Sequence, residues 1–260
     1  MSLSGKTLAN SYKDLLQVDN SNSGVVSASK TIKDGEGTSS SLSIGERSTS
    51  VKPTVDTTAT FLVENASGTD LLVVDATNSK VSALGNYINT QYAYFGIGRA
   101  NSFVDDTHQA VPFGNQYSSS DTSYPPAFGT GTDPATTFTT AEANGTRASD
   151  IVSCLWYVTD AISIDSVVGI EGADTATGDT TRMHLFSYDF TSGATACLTN
   201  GTLLAHNSDV TNAGSEQPYL SSFTVDSAAV AAGKVILAFF KSDSVNSDYT
   251  LNIKVKYHLT

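Results

Sequence analysis

The clearest hydropathy pattern lies near the C-terminal end. In LNIKVKYHL, residues 251–259, the odd positions are apolar and the even positions are Asn252, Lys254, Lys256 and His258. Side chains of a strand point alternately to its two faces, so this predicts a strand with one face in a core and one in water. Just before it, GKVILAFF (233–240) is apolar without alternation, as expected of a strand covered on both faces. The turn-rich SDSVNSD between them predicts a C-terminal hairpin. Further strands are predicted at residues 151–158, 163–170 and 183–190, with shorter ones at 203–205 and 222–225. Turn-forming runs such as EGADTATGD and FTSG fall between them. No helical period of useful length alternates with these strands. Residues 86–260 are therefore expected to form an antiparallel β-sandwich of jelly-roll type rather than a parallel α/β fold.

The pattern changes toward the N-terminus. Residues 53–85 contain Phe61-Leu-Val63 and Leu71-Leu-Val-Val74, with Asn65-Ala-Ser-Gly68 and Asp75-Ala-Thr-Asn78 as turns and Val81 opening a third strand. This is a small β-module, and a unit of this size is marginal alone in water. Phe61, Val63, Leu71 and Val73 are thus expected to be covered by neighbouring subunits. Residues 1–52 are polar and turn-rich, with DNSNSG and KDGEG as turn chemistry. Their one amphipathic piece runs through Tyr12, Leu15, Leu16 and Val18, the first three spaced as one side of a helical turn. A segment so poor in apolar groups does not offset its own ordering entropy. It is expected to be an extended anchor laid on another protein.

Composition supports the β assignment. Charged residues make up 15% of the 260, and Ser and Thr together make up about a quarter. Lys and Glu, the usual solvent face of helices, are scarce. The net charge of −12 argues against nucleic-acid backbones, which need a basic face, and against anionic membrane surfaces. No apolar run approaches the roughly 20 residues of a membrane-spanning helix, so no membrane insertion is expected. The first ten residues lack a signal-peptide pattern, and synthesis in a cytoplasm is expected. Cys154 and Cys197 sit in apolar stretches and read as free buried thiols, with a disulfide between them left open.

Candidate chemistry is sparse. Gly5-Lys6-Thr7 lacks the earlier glycine and preceding strand of a phosphate-binding loop. Gly96-Ile-Gly98 has Asn101 where a dinucleotide fingerprint needs its third glycine. The four histidines, His108, His184, His206 and His258, are scattered. Asp105, Asp106 and His108 lie close in sequence, as do Glu171, Asp174 and Asp179, but neither spacing matches a known metal loop. Trp156, in an apolar stretch, reads as core. No catalytic residue, metal or cofactor is assigned, and the chain is not expected to be an enzyme. Residues 98–147 carry four of the six prolines together with Phe113, Tyr117, Tyr124 and Phe128. A loop this long within a compact domain is either functional or a cover for the sheet.

NSYKDLLQVDNSNSG, continuing into TIKDGEGTSSSLSIG, resembles the N-terminal segment of tail-fibre and related virion proteins of tailed, especially marine, bacteriophages. FLVEN and DLLVVDATNSKV are similar to short β-modules of fibre shafts. Together they cover about the first third of the chain. The resemblance implies a place in the virion, a homotrimer, and an N-terminus that attaches to other virion proteins of the tail or capsid while the C-terminal domain faces outward. It brings no catalytic motif. As a short trimeric tail fibre, the chain would attach to a host-surface glycan or protein, with Asn115, Gln116, Tyr117 and Tyr124 as receptor contact. As a capsid decoration protein, the same anchor would lace the head shell; the short shaft weighs toward this alternative. A glycan-cleaving tailspike ranks third, because such spikes need a long β-helix.

Overall fold

The computed structural model describes residues 15–21, 23–98, 103–114, 116–117, 125–173, 177–214, 217–243 and 249–260. Its contacts divide the chain into two units, Met1–Ile88 and Asn89–Thr260. Among the described residues, no helix is long and apolar enough to cross a membrane.

The first unit contains two antiparallel four-stranded meanders. Strands β1 (Gln17–Val18), β2 (Lys30–Lys33), β3 (Ser39–Ile44) and β4 (Thr49–Val51) pair in chain order. The segment expected to be merely extended is thus a small sheet. Its cohesion comes from backbone ladders and cross-strand hydroxyl contacts rather than apolar burial. Ser29 and Ser48 hydroxyls meet at 2.6 Å, and Thr31 and Ser43, which face each other across β2 and β3, at 3.2 Å. The β2–β3 turn is built by the Asp34 carboxylate, which accepts from the Glu36 and Thr38 amides. The second meander is β5 (Phe61–Glu64), β6 (Asp70–Asp75), β7 (Lys80–Ala83) and β8 (Asn86–Tyr87). Asn65 organises its first turn by accepting from the Ser67 and Thr69 amides, and Gly68 supplies the positive φ of 78° that closes it.

The second unit runs β9 (Thr90–Gly98), β10 (Gln109–Val111), β11 (Gln116–Tyr117), a single-turn helix α1 (Ala148–Val152), β12 (Trp156–Tyr157), β13 (Ile162–Ala173), β14 (Thr180–Phe190), β15 (Leu198–His206), β16 (Val210–Thr211), β17 (Pro218–Ser222), β18 (Thr224–Val225), β19 (Ala229–Val230), β20 (Lys234–Ser242) and β21 (Tyr249–Leu259). Apart from two-residue β11, which lies parallel to β9, all its strand pairs are antiparallel. One sheet has the order β11-β9-β21-β13-β17, the other β10-β20-β14-β15-β18. Taking the eight principal strands, first pairs with last (β9 with β21), second with seventh (β10 with β20), third with sixth (β13 with β17) and fourth with fifth (β14 with β15). That nested pairing wraps one long hairpin around a barrel of two sheets. The domain is a jelly roll.

The wrapping corrects the expected C-terminal hairpin. β20 and β21 are consecutive but lie in different sheets. β20 is buried on both sides because an apolar core covers each face of its sheet. Ile236, Ala238 and Phe240 enter the core between the sheets, and Val235, Leu237 and Phe239 enter a second core on the outer face. β21 shows the predicted alternation, with Leu251, Ile253 and Val255 buried and Asn252 and Lys254 exposed. It breaks at His258, which turns inward to meet Asp165 at 2.8 Å. Asp165 is the extra residue of a bulge in β13, between Ile164 and Ser166. The bulge moves the inward register from Ile162 and Ile164 to Val167, Gly169 and Glu171.

A second correction concerns residues 151–158, expected as one strand. Residues 148–152 form α1, and only Trp156–Tyr157 pair, with β20. The Asp150 carboxylate accepts from the Gly145 and Arg147 amides and so fixes the helix start, while Ile151 is buried in the outer core.

The long segment before α1 supplies the cover of that outer core. Phe128 stacks on Phe138 (centroids 5.0 Å apart) and packs on Phe239 (4.6 Å) and Tyr188 (5.8 Å). Its backbone is stitched to the sheet: the Ala110 amide donates to Pro126, Phe128 to His108, Phe138 to Leu198 and Gly201 to Thr136. The buried Tyr188 hydroxyl donates to the Ala135 carbonyl at 2.8 Å. Gly201 is required here, because a Cβ would lie 2.6 Å from Tyr188 Cε1 and 2.8 Å from Thr136 Cα. Cys154 and Cys197 are both free and buried, and burial pushes the Cys154 thiol up to about 12.

Candidate functional site

The first unit has an unusual burial profile. Among its described residues no hydrophobic side chain is buried, whereas Leu16, Val55, Phe61, Leu84 and Ile88 are all exposed. In β5–β8, cross-strand partners share a face, so the registers assign the side chains. Phe61 lies opposite Val74, which lies opposite Val81, and Val63 lies opposite Leu72, which lies opposite Ala83. These six line one apolar face. Val73 lies on the other, with Leu62 and Ser82. Leu71 is the extra residue where the register shifts between Val63 and Glu64. The four residues expected at a subunit interface therefore do not share a face. Phe61 and Val63 do, with Leu72, Val74 and Val81 as partners that alternation within single strands did not connect.

Of the expected anchor residues, Leu16 is exposed and Leu15 and Val18 are half-buried, with Val18 opposite Ile32 in the β1–β2 ladder. Tyr12 lies outside the described residues. So do Asn115 and Tyr124 of the expected receptor contact. Gln116 and Tyr117 form β11, their backbones beside Ile97 and Gly98 at the end of β9. The stretch that continues from Pro125 is sheet cover, with Phe128 buried in the outer core.

At one end of the sandwich a polar cleft of about 330 Å³ is lined by Asp106, Thr132, Thr181, Arg182, Asp209 and Lys241, among others. Its cations are held by its own carboxylates, Arg182 by Asp209 at 2.6 Å and Lys241 by Asp106 at 3.2 Å. The cleft wall also carries Thr181, whose hydroxyl donates to Glu171 Oε1 at 2.6 Å. Glu171 is fully buried, and that burial raises its carboxyl to about 7 against the opposing Thr181 hydrogen bond. Nearby, the Tyr249 hydroxyl donates to Asp179 at 3.0 Å. The carboxylates weighed as calcium ligands are thus engaged with hydroxyls, and Asp174 lies outside the described residues. Asp106 faces Lys241 while His108 faces the Gly131 carbonyl, so that group does not converge either. Among the described residues, no three His, Cys, Asp or Glu groups are placed to hold a metal.

What the sequence scattered and the fold gathers is histidine. His108, His184 and His206 form a row on the outer face of the seven-stranded sheet. The rings of His108 and His184 meet edge to face at 4.9 Å, and those of His184 and His206 stack at 6.3 Å. His184 and His206 are cross-strand partners in β14 and β15. Only strand pairing could have revealed this.

No protein-family model matches the chain, and no curated protein does. Among solved structures, the Eiger TNF of S. frugiperda is similar over 66% of this chain and 94% of that one, at 10% identity and a TM-score of 0.29. A likeness that loose supports no functional statement.

Proposed function

We propose that the chain is a structural protein of a tailed-bacteriophage virion, a short trimeric tail fibre attached through its N-terminal unit and presenting the jelly roll outward for host attachment. One observation carries the reading: among the described residues the first unit buries no hydrophobic side chain, while the second has two apolar cores. A sheet with the face Phe61, Val63, Leu72, Val74 and Val81 gains its stability when copies close a shared core over it. Trimerisation also suits the resemblance of residues 10–45 and 61–81 to fibre proteins. The shaft-like sheet spans only residues 61–87, and that shortness favours a capsid cover as the second reading. Quantifying the chain on purified particles separates them: tens of copies or fewer fit the fibre, hundreds fit the cover. Absence from particles altogether removes both.

A further inference from the structure

The histidine row lies where the cover meets the sheet. His108, just before β10, is paired with the cover through both backbone groups: its amide donates to Gly129 at 2.9 Å and its carbonyl accepts from Phe128 at 2.7 Å. Its Nε2 meets the Gly131 carbonyl at 3.1 Å. His184 Nε2 lies 3.4 Å from Asp133 of the same cover. Both imidazoles are buried, and neither Nδ1 has a hydrogen-bond partner. A proton added at either Nδ1 would find no partner there, and the nearest carboxylate to His184, Asp133, is about half exposed. The surroundings are mostly cationic. Arg182 of β14, Lys241 of β20 and His206 of β15 all disfavour a charge on His184. At His108, Lys241 disfavours one, while the Gly131 and Thr132 backbone and Asp133 favour it, and burial outweighs them. The opposing acids are engaged elsewhere or exposed: Asp106 on Lys241, Asp209 on Arg182, Asp226 on His206 at 2.8 Å, and Asp133 at the rim.

We propose that residues 125–138 are an acid-released strap, parted from the seven-stranded sheet when His108 and His184 take up protons, so that the apolar face of Phe186, Tyr188 and Phe239 is bared. Burial is the first cause holding both imidazoles neutral, and it lowers His184 to about 3 and His108 below its ordinary range. Once the strap lifts, both return toward about 6.5. The closed state therefore binds fewer protons than the open one. It is fully favoured above about pH 6.5 and loses ground as pH falls. His184 alone raises the open-to-closed ratio by about tenfold per pH unit between 6.5 and 3. His108 adds about another tenfold per unit until its own lowered value is reached. The inter-sheet core does not contain these groups, so release is local.

Hydrogen exchange of the whole chain, corrected for the intrinsic pH dependence of exchange, tests this. The amides of Phe128, Ala135 and Phe138 bond within the strap or to the sheet, and those of β13 and β21 serve as reference. Strap amides should open at least tenfold more at pH 5.5 than at pH 7, with the reference amides unchanged. His184→Gln and His108→Gln, which remove a titrating group, should each flatten that rise. Strap opening that does not change with pH overturns the proposal. So does an equal rise in the β13 and β21 amides, which would be global acid unfolding, or an undiminished rise in both folded variants. The unaltered chain reports the first two of these, so a variant that fails to fold does not blunt the test.

Discussion

If copies close a shared trimeric core over β5–β8 as proposed, replacing Phe61 by Ser should dissociate it. Phe61 is 45% exposed within one chain, and a phenylalanine carries roughly 200 Å² of surface, leaving about 90 Å² for neighbouring copies to cover. At about 25 cal/mol per Å² that is roughly 2 kcal/mol per subunit, or about 6–7 kcal/mol over three. The trimer association constant should then fall roughly 10⁵-fold. Because three chains combine, the midpoint concentration should rise about 300-fold. Sedimentation velocity across a dilution series from micromolar to nanomolar concentration measures this directly. The jelly roll should remain folded, since its two cores contain no residue before Ala93. A native chain that sediments as a folded monomer at micromolar concentration refutes the shared core. So does an F61S chain whose association matches the native one.

Phe128→Ala should cost about 3–5 kcal/mol in chemical denaturation, because Phe138, Phe239 and Tyr188 close around a fully buried ring; a loss under 1 kcal/mol would mean the cover is not packed as described. Gly201→Ala should force Thr136 off the sheet and make residues 129–137 sensitive to limited proteolysis at neutral pH, with native-like resistance as the contrary result. Glu171→Gln should leave stability near pH 4 almost unchanged, raise it by about 1 kcal/mol near pH 5, and raise it by up to about 3–4 kcal/mol above pH 8. The sign follows from burial: the folded carboxyl is raised to about 7, so its contribution is complete below the unfolded value of about 4.3 and is lost as pH rises through 7. Equal melting curves for the two proteins at pH 8.5 would contradict it. If the outward domain binds the host through the expected contact, Tyr117→Ala with Tyr124→Ala should reduce adsorption to cells while the trimer melts unchanged; unaltered adsorption removes that loop as the receptor contact.

How much was legible in the sequence follows from what each pattern reports. Alternation in β21 disclosed one wet face, and the unbroken VILAFF of β20 disclosed two dry ones, because burial acts on single side chains. Neither pattern says which strand lies beside which. The hairpin expected between β20 and β21 therefore gave way to a crossing between sheets. Helix α1 is one turn long, too short for a 3.6-residue period to register, and Asp150 was its one local sign. The bulge at Asp165 left no mark beyond an acid in an apolar run, yet it decides that Glu171 points inward. The first meander was missed for the opposite reason: its strands pair through main chain and hydroxyls, which hydropathy does not see. At the site, the apolar residues of β5 and β6 were readable, but their division between faces needed the registers. The histidine row needed β14 and β15 side by side.

The nested strand pairing has a consequence for how the chain is made. Ile97 pairs with Leu251, about 150 residues later, so the jelly roll cannot close its first edge until its last strand has left the ribosome. The N-terminal meanders need only near neighbours in sequence and can complete their ladders while synthesis continues. If those sheets close a shared core as proposed, nascent chains on one message would present them to one another before any jelly roll is complete. If the chain trimerises as proposed, association through those sheets would begin before the jelly rolls had finished folding.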